Sequence, residues 1–311
     1  MIKNYLKTAW RNLWKNKVFS AINIIGLAIG MAACTVIMLF VFYEKSFDNF
    51  HKKNIYRLNE VQKFEGMVAS QKVALSMFPM GPTLKNDFPE IKNFTRVSWA
   101  EKVKINYQDK SIFLPSMYFV DSTFLQLFDF KLIHGNRETA LQKPKSVILT
   151  KASAEKLFGT EDPMGKMITH YGDDTTSYAI TGIMENVPKN SQMQFDALLS
   201  FNTIYRPDFM NNWGGNWLDT YLELTPGANV ASMEKRFPAY LKKYMTEGDN
   251  WKNYELFLLP LSKVHSGATD IGLDYINFQK FDRNYTRIFS IIALIVLVIA
   301  CINFMNLSTA R

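Results

Sequence analysis

The sequence is poor in cysteine, and that scarcity limits the kinds of protein it can encode. Cys34 and Cys301 are the two cysteines among 311 residues, and each lies within a long uncharged run. The region between these runs therefore has no disulfide of its own. A domain of this size can bury a sufficient core without one, so the absence fits a periplasmic domain and other compartments alike.

The residues of catalytic and metal-binding sites are also scarce. The chain has no G-x-S-x-G and no cysteine nucleophile outside the uncharged runs. Gly165-Lys166 lacks the glycine-rich lead of a phosphate-binding loop, and Asp173-Asp174 fits a turn better than a catalytic dyad. The histidines are isolated from one another and from other metal-ligating residues: His51, His134, His170 and His265. We therefore predict no catalytic residue, no metal site, no cofactor in this chain and no enzymatic activity.

Two stretches lack charge altogether. Residues 18–43 are 26 consecutive uncharged residues, and residues 288–307 form a second run. At 1.5 Å per residue, a helix of the first length exceeds the roughly 30 Å hydrocarbon core of a bilayer. A cleaved signal is excluded because its apolar core is only about 7–15 residues long. We predict a transmembrane helix over 18–43, a large domain over 44–287 and a second transmembrane helix over 288–307.

Acidic residues are missing from the N-terminal segment, and this sets the orientation. Residues 1–17 carry five basic side chains and no Asp or Glu. Because cytoplasmic flanks hold the Lys/Arg excess, we expect a cytoplasmic N-terminus and a periplasmic domain. The first 43 residues contribute +5 and the last 24 contribute +1, so residues 44–287 hold 30 basic against 28 acidic side chains. The net charge of +8 is therefore a topology signal, and no nucleic-acid partner is expected.

The cytoplasmic segment 1–17 has an apolar helical stripe among its basic residues. Trp10, Trp14, Lys15 and Lys17 are the predicted membrane-interface anchors of this amphipathic segment, which would lie on the lipid bilayer. A helical extension of the first span is the alternative interpretation, because amphipathicity alone does not separate the two.

The first span contains a G-x-x-x-G pattern, Gly26 to Gly30. Small residues at this spacing allow a second helix to approach closely, so Gly26 and Gly30 are candidate helix-packing positions. The alternative is chance, because glycine is common in membrane spans. Asn23, Asn303 and Asn306 could hydrogen-bond between helices or simply meet water at the cytoplasmic interface.

Strand and helix signals alternate through the domain and predict an α+β fold. We predict helices over 77–91 and 230–245, and a short helix over 122–128 capped by Asp121. Two strands within 166–183 are predicted to form a hairpin. The order of elements suggests two lobes: a split α/β lobe of about 52–138 and 217–263, and an inserted, mainly β lobe of about 139–216.

Several segments resemble the MacB/FtsX-type family of ABC-transporter permeases. At the N-terminus, Tyr5–Leu13 and Lys15-Asn16-Lys17 precede a glycine-containing span, as in that family. The other matching segments follow in the family's order along the chain: Tyr118–Phe128, Gly135-Asn136, Val147–Thr150, Ala154, Leu157–Gly159, Asp162-Pro163, Gly165-Lys166, Tyr178–Ile183, Val187-Pro188 and Ala300–Arg311. The resemblance covers essentially the whole chain.

The resemblance implies a mechanical role in the bacterial inner membrane. In such permeases a separate ATPase hydrolyses ATP, and the permease transmits the motion to a two-lobed periplasmic domain. Implied partners are the ATPase and a second permease copy or half, with a periplasmic adaptor or an outer-membrane factor as further candidates. The exported or extracted cargo would be a lipoprotein, a peptide or a hydrophobic compound.

The length of the chain departs from this family. Family permeases have at least four spans, so we expect residues 308–311 to begin a cytoplasmic loop of a truncated or divided permease. A two-span sensor with an extracytoplasmic ligand-binding domain is the alternative, and it would need a signalling module after the second span. A membrane-anchored enzyme is a third candidate, without a catalytic group to support it.

Overall fold

Two long apolar helices lie near the two ends of the chain. The structure, a computed structural model, describes residues 4, 7, 10, 11, 14, 15, 17–100, 103–171, 175–277 and 279–309. Helix α1 is Lys17–Lys45, and the last helix, α8, is Arg283–Thr309. Within them, Ser20–Lys45 and Arg283–Met305 are long and apolar enough to cross a membrane, in agreement with the two predicted spans.

The chain divides into two units, Met1–Ser46 with Phe281–Arg311, and Phe47–Lys280. The second unit is a mixed α/β domain, which confirms the predicted fold class. Its helices are short: α2 Met80–Asp87, α3 Phe124–Leu127, α4 Lys151–Phe158, α5 Val230–Glu234, α6 Phe237–Tyr244 and α7 Leu261–Gly267.

The described residues form fifteen strands in one extended sheet. The strands are β1 Ile55–Gln62, β2 Gln71–Val73, β3 Ser76–Met77, β4 Ile91–Ala100, β5 Val103–Tyr107, β6 Lys110–Leu114, β7 Met117–Val120, β8 Leu132–Gly135, β9 Ser146–Thr150, β10 Met167–Tyr171, β11 Thr175–Met184, β12 Ala197–Ser200, β13 Asn216–Leu224, β14 Tyr254–Pro260 and β15 Ile271–Gly272. Their order is β15-β2-β1-β13-β4-β7-β12-β9-β11-β10-β5-β6, with β14 on β1, β3 on β13 and β8 on β11.

Three of the five apolar clusters among the described residues hold most of this sheet. Side chains of α2 and α6, such as Leu84 and Phe237, pack on one face of β13. A central aromatic cluster includes Phe124, Phe128 and Tyr221. A third cluster joins α4 to the strands around β9 and β11. Burial of apolar surface, at roughly 25 cal/mol per Å², is the main force that stabilises such layers.

Two predicted helices are shorter or broken in the structure. The helix predicted over 77–91 is Met80–Asp87, because Phe88 precedes Pro89 and takes the extended backbone that this position favours. The helix predicted over 230–245 is divided into α5 and α6. Pro238 has no N–H to continue the first helix and instead lies in the first turn of the second.

The predicted cap of the short helix is wrong. Thr123 occupies the N-cap position of α3, without a side-chain hydrogen bond. Asp121 instead forms a two-pronged ion pair with the Arg96 guanidinium, at 2.8 Å (Oδ1–Nη2) and 2.9 Å (Oδ2–Nε). The Arg96 side chain also lies over the Phe201 ring, 4.2 Å from its centroid. The Asp121 carboxylate therefore binds Arg96 of β4 and does not cap the helix.

The hairpin predicted over 166–183 is confirmed by the antiparallel pairing of β10 with β11. Asp173 and Asp174 lie outside the described residues. The hairpin of β5 and β6 pairs with β10, so strands that we assigned to the split lobe extend the sheet on the side of the insert. The boundaries of the two lobes stay a prediction.

Candidate functional site

The domain joins the chain's two apolar helices through two short segments, which we call the N-terminal connector (residues 47–52) and the C-terminal connector (residues 273–280). Each connector is the covalent link between an apolar helix and the sheet. The candidate functional site is the set of buried polar groups that attach them.

Asp48 attaches the N-terminal connector to the loop that precedes β12. Its carboxylate accepts hydrogen bonds from the Ser191 hydroxyl at 2.9 Å and from the Gln192 backbone N–H at 3.2 Å. The Asp48 N–H donates to the Asn190 carbonyl at 2.9 Å. Asp48 has a φ of 57°, a left-handed conformation that Asp and Asn adopt more readily than most residues. Residue type and backbone shape therefore suit each other at this position.

Aromatic and histidine contacts complete this attachment. The Phe47 ring stacks on His265 of α7, with centroids 3.4 Å apart. His51 accepts a hydrogen bond at Nδ1 from the Asp129 backbone N–H at 2.9 Å. Burial lowers the pKa of His51 to about 4, although the charge of Asp129 opposes the shift. His51 is therefore neutral at pH 7 and can accept this bond.

The C-terminal connector is attached by the ion pairs of a buried carboxylate. Asp274 pairs with the Arg57 guanidinium at 2.7 Å (Oδ1–Nη1), and both side chains are fully buried. Asp274 also lies 3.3 Å from the Lys280 ammonium and 3.2 Å from the Asn277 amide. Asn277 donates in addition to the Val264 carbonyl of α7 at 3.0 Å. One carboxylate thus holds three side chains from β1 and the connector.

Arg57 lies on β1, a strand that is paired on both sides. It lies directly opposite Tyr221 in the β1–β13 ladder, so the two side chains share a face. Its Nε donates to Asn59 at 2.9 Å. Burial opposes its charge, but Asp274, Tyr221 and Asp219 together raise the pKa of Arg57 above its ordinary value.

A bridge of side chains connects the two attachments. The Gln192 amide donates to the Tyr221 hydroxyl at 3.4 Å, while its backbone N–H binds Asp48. Tyr221 neighbours Arg57 across the ladder, and Arg57 pairs with Asp274. We call the resulting set, Asp48, Ser191, Gln192, Tyr221, Arg57, Asp274 and Lys280, the connector network.

Burial changes the titration of several acids in and beside the network. It raises the pKa of Asp48 to about 7, although the hydrogen bonds from Ser191 and Gln192 oppose the shift. It raises the pKa of Asp219 to about 8, partly offset by the charge of Arg57. Glu60, on the opposite face of β1, has a pKa of about 7 for the same reason.

The helix-packing positions predicted from the sequence belong to the unit of the two apolar helices and are not members of this network. A Cβ on Gly26 would lie 2.9 Å from the Asn303 amide nitrogen, and one on Gly30 would lie 3.0 Å from the Ala300 Cβ. Both glycines therefore face the second apolar helix of the same chain. Their role in assembly stays a prediction, and the side chain of Asn306 lies outside the described residues.

The predicted interface anchors lie in a segment that is only partly described. The Trp10 and Trp14 rings are 6.1 Å apart, and the Lys17 ammonium lies 5.2 Å from the Trp14 centroid. Lys15 is exposed. The interfacial position of these residues stays a prediction, as does the start of a cytoplasmic loop at 308–311, of which residues 310 and 311 are outside the described range. Among the described residues, no group of three or more His, Cys, Asp or Glu side chains could hold a metal ion.

Sequence analysis missed every member of the connector network. In the Ile55–Gln62 strand, Arg57 and Asn59 alternate with Leu58 and Glu60, a pattern usually typical of one solvated face. Here both faces of the strand are buried. The signal in the sequence was the set of polar residues, Arg57, Asn59 and Glu60, within one strand. The structure shows that both faces of this strand are covered.

Comparison with known families finds one match. The model of the MacB-like periplasmic core domain matches residues 20–240, which is more than half of the chain. A search of the curated proteins finds no significant match.

Several solved structures are similar to this chain, and three of them are periplasmic or extracellular regions or domains of permease-type proteins. A domain provisionally assigned to a permease of Porphyromonas gingivalis has a TM-score of 0.59 and 23% identity, covering 67% of this chain and 90% of that one. The periplasmic region of MacB from Actinobacillus actinomycetemcomitans has a TM-score of 0.47 and 14% identity, covering 70% and 92%. The extracellular domain of YknZ, a noncanonic ABC-type transporter from Gram-positive bacteria, has a TM-score of 0.48 and 15% identity, covering 66% of this chain and 100% of that one. At these identities the likeness shows the fold alone.

Proposed function

The chain belongs to the MacB/FtsX-type family of ABC-transporter permeases, with a MacB-like periplasmic core domain, and from this premise we propose that its two connectors transmit movement of the membrane helices to that domain. The family implies partnership with an ABC ATPase. In this proposal the ATPase hydrolyses ATP in the cytoplasm, and the permease itself performs no chemistry.

The connector network is the observation that carries the proposal. Each connector contributes a buried acid, Asp48 or Asp274. Asp48 is hydrogen-bonded to Gln192, and Gln192 to Tyr221. Tyr221 lies opposite Arg57 in the β1–β13 ladder, and Arg57 pairs with Asp274. A displacement of either connector must therefore break buried hydrogen bonds or move the sheet with it. Breaking one of these buried bonds is unfavourable, because it leaves a desolvated group without a partner.

The proposed membrane topology is based on the sequence. Five basic residues before the first span favour a cytoplasmic N-terminus, which puts the domain in the periplasm of a bacterial inner membrane. A second permease copy or half would complete the transporter, and a periplasmic adaptor or outer-membrane factor could extend it. The cargo would be a lipoprotein, a peptide or a hydrophobic compound.

A pull-down tests the partnership. The full native gene product, tagged and extracted from its own membranes in a mild detergent, should recover a protein with Walker motifs that hydrolyses ATP. A chain carrying Asp274→Ala should recover the same partner, because the network lies in the domain proposed to be periplasmic whereas the ATPase is cytoplasmic. Recovery of no ATPase with the full product would contradict the proposal and favour a ligand-sensing protein.

A further inference from the structure

A cavity beside the connector network has the features of a binding site. It has a volume of about 230 Å³, and its lining includes Val97, Trp99, Trp217, Asp219, Tyr275 and Ile276. The β4–β13 ladder sets Val97 directly opposite Asp219, which puts these two side chains on one face of the sheet. Trp99 and Trp217 lie two residues along each strand, and side chains at that spacing share the face.

Three aromatic side chains at this cavity are unusually exposed. Trp99 is 43% exposed, Trp217 61% and Tyr275 53%. The rings of Trp99 and Tyr275 are stacked, with centroids 5.5 Å apart. Exposed large aromatic groups clustered around a cavity are typical of a recognition surface, since their burial by a ligand is favourable.

The acid in the cavity lining is unusual as well. Asp219 is fully buried, and neither of its carboxylate oxygens has a hydrogen-bond partner among the described residues. An unmet buried acceptor costs free energy that a donor would recover. The charged and titratable groups around Asp219 are Arg57, Tyr118, Tyr221, Asp274 and Lys280. Within the described part of the chain, none of them donates a hydrogen bond to its carboxylate, although Arg57, whose Nη2 is also buried without a hydrogen-bond partner, and Lys280 attract its charge.

We propose that this cavity binds an organic cation with N–H donors, an alkylammonium or a guanidinium group, whose head reaches Asp219 and whose chain packs against Trp99, Trp217 and Tyr275. The carboxylate supplies the acceptors that such a head needs, and aromatic faces attract cations, tryptophan most strongly. A neutral ligand would add no positive charge to favour the ionised form of Asp219, and an anionic ligand would repel that form.

The proposal predicts a measurable signature, the release of a proton on binding. With a pKa near 8, Asp219 is mostly protonated at pH 7 while the cavity is empty. A bound cation favours the carboxylate, so binding at pH 7 releases close to one proton and affinity rises with pH to about 8. Release should vanish above pH 9, where the acid is already ionised.

The site would also touch the coupling machinery. Tyr275 lines the cavity and follows Asp274, which is paired with Arg57. A ligand on Tyr275 therefore contacts the C-terminal connector itself. The cation site does not depend on the proposed coupling, and either can fail without the other.

Calorimetry on the full chain in maltoside micelles tests the proposal with n-butylammonium as the probe. Titrations at pH 7 in two buffers of different ionisation enthalpy should give saturable binding with release of close to one proton. Tetramethylammonium, which has no N–H donor, should bind at least about tenfold more weakly. The neutral n-butanol should not bind.

Variants locate the site. Asp219→Asn should weaken n-butylammonium binding at least about tenfold and abolish proton release. Glu60→Gln is the matched control, because Glu60 is another buried acid with a raised pKa but does not line the cavity. If Asp219→Asn does not fold, Trp217→Ala replaces it, with the exposed Tyr205→Ala as its control.

Two results would overturn the proposal. One is the absence of saturable binding up to about 100 mM n-butylammonium, which would indicate that a water between Asp219 and Arg57 satisfies the acid. The other is binding that Asp219→Asn and Trp217→Ala leave unchanged.

Discussion

The two connectors are attached to the same domain by different chemistry. The N-terminal connector is held by hydrogen bonds to a carboxyl group, Asp48, whose pKa near 7 makes its charge variable. The C-terminal connector is held by a buried ion pair between Asp274 and Arg57. Loss of a hydrogen bond costs less than leaving a buried charge unpaired, so we expect the C-terminal attachment to be the stronger one.

The largest expected loss of stability comes from breaking the stronger attachment, that of the C-terminal connector. Asp274→Ala leaves Arg57 buried without its partner, and we expect the free energy of unfolding of the domain to fall by about 3–5 kcal/mol. Thermal and denaturant unfolding of the full chain in micelles would measure it. Asp270→Ala is the matched control, because Asp270 is 59% exposed and pairs with an exposed Lys72, so its loss should cost about 1 kcal/mol or less. Equal effects of the two variants would contradict a buried ionic attachment.

The next effect concerns the N-terminal attachment. Asp48→Ala removes the acceptor for Ser191 and Gln192 and also disfavours the positive φ, and we expect a loss of about 1–3 kcal/mol. Asp48→Asn keeps an acceptor and a residue suited to this φ, so it should be milder. The same unfolding assays apply. If Asp48→Ala proves costlier than Asp274→Ala, the ranking of the two connectors is wrong.

The pH dependence sharpens the comparison, because the N-terminal attachment contains an acid, Asp48, whose pKa burial raises to about 7. An acid with a raised pKa holds a proton in the folded chain that the unfolded chain releases. Its stabilising contribution is complete below the ordinary pKa and is lost as pH rises through the folded value. Asp48 and Glu60 lose it towards pH 7 and Asp219 towards pH 8. His51 has the opposite sign, with stability lost as pH falls from 6.5 to about 4.

We therefore expect the unfolding temperature to decline between pH 6.5 and pH 8, where His51 no longer contributes. Asp48→Asn should flatten part of that decline, whereas Asp270→Ala should leave it intact. A flat profile over this interval would show that these acids are already ionised in the folded chain at neutral pH, and would contradict the account.

The smallest effect on the domain comes from the spans. Gly30→Leu places a bulky side chain where even a Cβ would lie 3.0 Å from the Ala300 Cβ, so pairing of the two helices should weaken. Crosslinking between the helices in membranes would report it. Ala28→Leu, on an exposed position of the same helix, should pair normally, and neither change should alter domain unfolding. Unchanged crosslinking in Gly30→Leu would argue against close packing there.

The sequence predicts the local elements better than the site. The two spans and the β10–β11 hairpin follow from uncharged length and from turn chemistry, which are local properties. The break at Pro238 is also local, because proline has no N–H to continue a helix. The pairing of Asp121 with Arg96 depends instead on a residue from another element, which the pattern around the short helix does not contain. The connector network is the extreme case: Asp48 and Asp274 lie 226 residues apart, and their connection requires the register of β1 against β13.

The most direct test of the coupling claim is a distance measurement in the complete transporter. Spin labels at Lys156→Cys in α4 and Lys242→Cys in α6, in a background with Cys34 and Cys301 replaced by serine, report the separation of two exposed sites on the domain. We predict that ATP and ADP give different distance distributions in the ATPase complex. Flexible Gly-Ser insertions after Ser46 and after Lys280 should abolish the difference. A nucleotide-independent distance, or a difference that survives both insertions, would contradict transmission through the connectors.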